Sequence, residues 1–234
     1  MKKILFLLSI VWTSVALASG GGAHLDRVDI DISDNASLQK GAKYYVNYCY
    51  GCHSLKFLRY NRLAKDLGIA EQDVIDNLMF SGSKIADPME ISMTKEDANN
   101  WFGVQPPDLS LIARSRGTDW LYTYLRSFYA DDSRPFGVNN TLFKDVGMPH
   151  VLSGLQGLKA APGAEGEHAE MLVKGTLSEK EYDQVIHDIV GFLEYAGEPA
   201  KLKRQTMGLY VLLFLAFFTL IAYLLKKEYW RDVH

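Results

Sequence analysis

Two cysteines and a histidine stand together in Cys49-Tyr50-Gly51-Cys52-His53, and these are the only cysteines in the chain. Two thiols on one turn can add to the two vinyl groups on one edge of a porphyrin. The next residue then swings an imidazole under the iron, which is why C-x-x-C-H is the attachment sequence of a c-type haem. A bare C-x-x-C would also serve a thioredoxin-like redox pair or half a zinc site. Neither needs the histidine, and a zinc site of that kind needs a second pair. A disulfide across so short a loop would add little, because loop-closure stabilisation grows with loop length. The spacing therefore predicts one covalent haem c on Cys49 and Cys52, with His53 as an axial ligand.

The sixth ligand does not follow from spacing. Met79, Met89, Met93, Met148, Met171 and His150 are candidates. A methionine would raise the reduction potential, a second histidine would lower it, and an open position would suit gas binding. Methionine is commonly a core filler. Met148 differs in being flanked by Gly147 and Pro149, a stiff, irregular setting that presents a side chain from a loop. His150 is its near neighbour, and a lone histidine of this kind is ordinarily a hydrogen-bonded core or surface residue.

The elements that must position these groups are mostly helical by pattern. Asp34-Asn35-Ala36-Ser37 is a capping cluster, and Leu38, Ala42, Tyr45 and Cys49 share one helical face, so the first helix runs straight into the motif. Leu55 to Gly68 reads as an irregular or short helical wrap, and Glu71 to Phe80 as another short helix. Ser81 to Val104 has little periodicity, and Pro106-Pro107 forces extended backbone, so this segment reads as a loop. Thr118 looks like the N-cap of a helix with Trp120, Leu121, Tyr124, Leu125 and Phe128 on its apolar face. Residues 154 to 175 read as a surface insertion. Ser178 and Glu181 form a capping box ahead of Tyr182, Val185, Ile186, Ile189, Leu193 and Ala196 at helical spacing. No strand-like alternation or repeat is evident, and residues 24–200 read as one all-α domain.

Both ends are hydrophobic. Residues 1–18 have the basic start, apolar stretch and Ala16-Leu17-Ala18 ending of a cleaved secretory signal. A short basic linker at 201–206 precedes an uncharged run, 207–225, long enough at about 1.5 Å per residue to cross a hydrocarbon core of roughly 30 Å. Tyr210, Tyr223, Tyr229 and Trp230 supply interfacial aromatics. Basic residues border the run equally on both sides, so orientation comes from the signal: the domain lies outside the membrane and the 226–234 tail in the cytoplasm. Between Ser19 and Gln205 acidic residues outnumber basic ones by about six. That balance argues against nucleic acid and suits a basic protein partner.

NYCYGCHSLKFLRYNRL, ANNWFGVQPPDLSLIARSR, GMPHVL and a capped helix ending in YAGEP before a basic linker and anchor occur here in that order. Together they resemble the cytochrome c1 family, the haem subunits of cytochrome bc1 complexes, over most of residues 38 to 231. The PPDLS and GMP blocks are far more specific than C-x-x-C-H. The resemblance implies a class I cytochrome c-like fold, Met148 as axial methionine, Arg114 beside a haem propionate, and Pro107 packed beside the porphyrin. It also implies a place in the membrane lipid with cytochrome b and a Rieske iron-sulfur protein, the latter donating electrons that pass on to a soluble or membrane-bound cytochrome c. The chain would thus be the electron-transfer subunit of a quinol-cytochrome c reductase, with no bond-making site of its own, on the periplasmic side of a bacterial inner membrane. The segment from His53 to Pro106 is short beside mitochondrial members, which matches the bacterial form, and the insertion at 160–172 has no counterpart. An anchored monohaem cytochrome feeding a terminal oxidase or nitrogen-oxide reductase shares the haem and anchor but not these blocks. A haem peroxidase or gas sensor would need a second motif or an open iron.

Overall fold

The computed structural model describes residues 24–163 and 170–233. The expected signal at 1–18, residues 164–169 of the insertion and His234 lie outside the described residues.

Two long helices make the frame. In α1 (Asn35–Tyr48) the Asp34 carboxylate accepts from the Ala36 and Ser37 amides, at 3.0 and 3.1 Å, satisfying two of the donors a helix start leaves free. In α8 (Glu179–Gly197) Ser178 and Glu181 cap each other reciprocally, as the sequence indicates. The helices cross at Gly41, where an added Cβ would lie 2.0 Å from the Asp188 carbonyl oxygen. No side chain fits there. Beside the crossing the buried Asp188 carboxylate accepts from Ser37 Oγ at 2.6 Å, and Tyr45 packs on Phe192 with ring centroids 5.5 Å apart. Leu38, Ala42, Tyr45, Ile186, Ile189 and Phe192 are almost fully buried around this contact.

Between these helices lie β1 (Leu55–Arg59), α2 (Tyr60–Leu67), α3 (Glu71–Asn77), β2 (Pro88–Met89), α4 (Lys95–Phe102), α5 (Ile112–Arg116), α6 (Thr118–Arg126), β3 (Phe128–Ala130), β4 (Val138–Asn140), α7 (Ser153–Gln156), β5 (Gly157–Lys159) and β6 (Met171–Lys174). The strands form three antiparallel two-stranded ribbons, β1 with β2, β3 with β4, and β5 with β6. Helix dominates and the all-α class stands, with local corrections. The Leu55–Gly68 wrap begins as a strand, and the expected loop from Ser81 to Val104 contains α4, capped by Thr94 accepting from the Asp97 amide. Only Ala98 of α4 is buried, so the helix has no apolar stripe to reveal it. Gly117, rather than Thr118, is the N-cap of α6. The stretch read as a surface insertion carries the β5–β6 hairpin.

Residues 201–206, expected as a linker, are helical and continuous with the apolar run in α9 (Lys201–Tyr229). At about 1.5 Å per residue this 29-residue helix is long enough to cross a bilayer and emerge from it. Its most apolar window has mean hydropathy 2.4, and none of that window is buried against the protein. So large an exposed apolar surface on one helix is matched by lipid, and the protein is membrane-anchored.

Candidate haem site

The C-x-x-C-H segment is the tight turn that ends α1. The Cys49 amide donates to the Tyr45 carbonyl at 2.8 Å, and the His53 amide returns to the Cys49 carbonyl at 2.9 Å. Cys49 is buried and Cys52 half-buried, and both are free thiols. Burial pushes the Cys49 thiol up to about 12 and raises that of Cys52. Such thiols are neutral, unlike the low-pKa thiolate of a redox pair. Among the described residues no cluster of three or more His, Cys, Asp or Glu side chains forms a metal site.

His53 is buried, and its Nδ1 lies 2.7 Å from the Pro107 carbonyl oxygen. A carbonyl only accepts, so Nδ1 carries the proton and Nε2 keeps its lone pair. Burial, the larger influence, lowers the imidazole pKa, while the Pro107 carbonyl works in the opposite direction. The neutral form that can bind a metal is thereby favoured. Tyr45 donates its hydroxyl to the His53 carbonyl, fixing the same residue from the helix side.

Residues 107–110 of the PPDLS block are laced to the chain leaving the motif. Leu109 donates its amide to the Ser54 carbonyl at 2.9 Å, Asp108 accepts from the Lys56 amide at 3.1 Å, and Ser110 Oγ accepts from the Phe57 amide at 3.2 Å. Asp108 also accepts from the Ser110 amide at 2.9 Å, which shapes the block itself. Pro107 thus contributes its carbonyl, and its ring is exposed.

Met148 sits on a separate pinned loop. Arg134 donates to both the Asp145 carboxylate and its carbonyl, and Asn139 Oδ1 accepts from the Asp145 amide at 2.9 Å. This holds Asp145 at φ 61, in the left-handed region. Half-buried Met148 packs on the cluster formed by Phe128, Val138 and Val146, and its Sδ accepts from the Tyr124 hydroxyl at 3.5 Å. The two loops approach each other: an added Cβ on Gly147 would lie 3.5 Å from Val104, three residues before Pro107.

Of the other candidate ligands, Met89 is fully buried in the main core, Met79 packs against that core and Met171 is exposed on β6. Met93 lines two cavities, each of about 370 Å³, beside the motif; neither is lined by His53 or Met148. His150 is buried and stacked on Phe128 with centroids 4.8 Å apart, and burial lowers its imidazole to about 4. Its Nε2 is buried without a hydrogen-bond partner among the described residues.

Arg114 is paired with Glu198, Nη1 to Oε2 at 3.2 Å, and its side chain is 55% exposed. Glu198 also holds Arg204 of α9 at 2.5 Å, so the guanidinium expected beside a propionate is engaged where α8 meets the anchor. Arg116 lies over the Trp120 ring at 5.0 Å.

These residues fit a haem c. The thiols are unpaired, the imidazole has one nitrogen held and one available, and a thioether is presented from a loop next to the strap formed by residues 104–110. The buried apolar side chains also fall into two clusters, with Cys49 and Tyr50 in the larger and Met148 packed on the smaller.

Fold and site together define a membrane-anchored c-type cytochrome. The chain belongs to the cytochrome c1 family, whose model matches residues 29–233. It is similar to a protein named cytochrome c1 from Allochromatium vinosum, 54% identical over all of this chain and 99% of that one. It is likewise similar to a protein named ammonia monooxygenase gamma subunit from Nitrosomonas europaea, 47% identical over all of this chain and 99% of that one. Cytochrome c1 of Rhodospirillum rubrum is 26% identical over 96% of this chain and 97% of that one. A solved chain titled "Hyperthermophilic respiratory Complex III" covers all of this chain at 16% identity and a TM-score of 0.45, too remote to carry an argument. Family membership makes this an electron-transfer protein with one covalent haem c, in the role of the haem subunit of a cytochrome bc1 complex.

Three contributors carry no motif of their own in the sequence. The Pro107 carbonyl and the Tyr45 hydroxyl both orient His53, and the Tyr124 hydroxyl meets Met148. The distance of 8 residues between Tyr45 and His53 is the one local signal among them.

Proposed function

We propose that this subunit takes single electrons from a Rieske iron-sulfur protein and passes them to a soluble or membrane-bound cytochrome c, while sitting beside cytochrome b in the membrane. His53 Nε2 and Met148 Sδ would hold the haem iron, and the domain of residues 24–200 faces the periplasm of a bacterial inner membrane, anchored by 207–225. When bound, the haem supplies a one-electron iron couple at a potential raised by a thioether ligand. The chain's own work is positional. Pro107 and Tyr45 hold the His53 ring and its backbone, Asp108 and Ser110 keep the strap in place, and the pinned 145–148 loop presents the sulfur. No residue makes or breaks a substrate bond. Arg114 retains its proposed role toward a propionate only by sharing its charge with Glu198.

The observation that carries this reading is the lacing of residues 107–110 to residues 53–57. It gives the PPDLS block, which separates this family from other anchored monohaem cytochromes, a physical task at the imidazole. Met148 is preferred to His150 because its sulfur already has an orienting donor, whereas the His150 ring is stacked in the core on Phe128.

Purification of the full chain in mild detergent tests the partners. Co-isolation of cytochrome b and a Rieske protein, with quinol-dependent reduction of added cytochrome c, is expected. Isolation instead with oxidase, nitrogen-oxide reductase or ammonia-oxidising subunits would overturn the reading.

A further inference from the structure

We propose that Tyr124 is a positioning residue for the electron-transfer centre: its hydroxyl holds the Met148 sulfur in one orientation and raises the reduction potential by drawing electron density from it. The proposal rests on Met148 as the axial donor.

Among the described residues the Met148 thioether is the one hydrogen-bond partner of the Tyr124 hydroxyl, at 3.5 Å. Tyr124 is half-buried, and a phenol so placed ordinarily finds a partner; a thioether is a weak one. The pairing is therefore imposed by packing rather than chosen by affinity. The ring is fixed on several sides: it stacks on Trp120 at 4.9 Å and 10°, meets Phe128 edge-on at 5.3 Å, and is met by Phe143 at 6.5 Å. Its own carbonyl accepts from Asn140 Nδ2 at 2.8 Å, tying α6 to β4. Tyr124 also packs against both apolar clusters, so its direction is set by the whole core. A thioether has no proton to give, so in this pair the phenol is the donor.

Two consequences follow at the sulfur. Methionine has three rotatable bonds and a sulfur with two lone pairs. A donor fixed on one lone pair leaves the other to face a metal and selects one arrangement of the side chain. A hydrogen bond to a ligand atom also makes that atom a poorer electron donor, which favours the reduced metal. Hydrogen bonding around a ligand is an established means of setting a potential.

The test uses the full-length, haem-loaded protein in detergent. The thioether-to-ferric-iron charge-transfer band is recorded first in the unmodified chain and in Met148→Leu. Absence of the band from the unmodified chain, or its survival in Met148→Leu, refutes the ligand assignment, and the Tyr124 proposal falls with it. With the band present and lost on Met148→Leu, Tyr124→Phe is expected to shift the band and lower the midpoint potential. The shift corresponds to about threefold to tenfold in the equilibrium constant for reduction, the range of one net hydrogen bond. Placing 3-fluorotyrosine at position 124 keeps the ring and strengthens the donor, and is expected to move the potential upward. The second substitution decides the matter even if Tyr124→Phe loses its haem. An unchanged potential and band in Tyr124→Phe, or a fall in potential with the stronger donor, overturns the proposal while leaving Met148 as ligand.

Discussion

His53 Nδ1 and the Pro107 carbonyl oxygen lie 2.7 Å apart although 54 positions separate them in the chain. The contact joins the end of α1 to a loop preceding α5. One nitrogen of the ring is occupied by the protein, so the other is the only one a metal can take. A hydrogen bond of this kind also raises the basicity of the ligating nitrogen.

Asp108 is the residue that keeps the Pro107 carbonyl in register, through its bonds to the Lys56 and Ser110 amides. Asp108→Ala removes both and leaves two amides without their partner. A loss of about 1 to 3 kcal/mol in the stability of the haem-loaded protein is expected. Urea unfolding followed at the haem absorbance measures it, and an unchanged midpoint would mean that the strap is held by Leu109 and Ser110 alone.

The crossing of α1 and α8 at Gly41 makes a second demand. Its missing Cβ would meet the Asp188 carbonyl at 2.0 Å, and the obstacle is backbone that cannot rotate away. Gly41→Ala must therefore part the helices and disturb the core around Tyr45 and Phe192. Overpacking of this kind costs about 1 to 3 kcal/mol or more. Less haem-stained protein on a denaturing gel, with a lower unfolding temperature for what remains, is the expected result.

How much of this was legible in the sequence depended on how much of each element is buried and how far away its partners lie. α1 and α8 were readable because each is long, buries a continuous stripe and carries its own cap. The strands were not, since the longest has five residues with Leu55 and Leu58 buried, three positions apart, and alternation never develops. α4 hid because Ala98 alone is buried, although Thr94 and Asp97 carried a capping signal. At the site, the reactive types were plain from Cys49, Cys52 and His53. The orienting groups were not: any residue has a carbonyl like that of Pro107, and Tyr124 looks like one more apolar member of its helix face. Arg114 has a second partner that its sequence neighbourhood did not reveal, Glu198, which lies 84 positions further along the chain.

The boundary between domain and anchor can be cut. Among the described residues, Glu194 with Lys201 and Glu198 with Arg204 are the ion pairs that cross it. These pairs lie near the surface, and exposed pairs of that sort contribute little, roughly 0 to 1 kcal/mol each. Truncation after Pro199 leaves the capped α8 and its buried stripe intact. The product is expected to be a water-soluble haem domain recovered without detergent. Retention of the truncated chain on membranes after a high-salt wash would show a second attachment outside α9.

Met148 and His150 stand two residues apart, and the outcome of removing the thioether separates them. Met148→Leu keeps approximate volume beside Phe128, Val138 and Val146, so the fold should survive with a cost below about 1.5 kcal/mol. The soft axial donor is lost, and a metal held by His53 is then five-coordinate or takes a harder ligand. The midpoint potential should fall, because a thioether favours the reduced iron and its replacements do not. Carbon monoxide should bind the reduced variant and not the unmodified protein. His150→Gln makes the comparison complete: its ring is stacked on Phe128 with its Nε2 unpartnered among the described residues, and its loss should reduce stability while leaving the potential in place. Redox titration of both variants, with and without carbon monoxide, gives the answer. A potential that moves in His150→Gln and stays fixed in Met148→Leu would assign the sixth position to the imidazole.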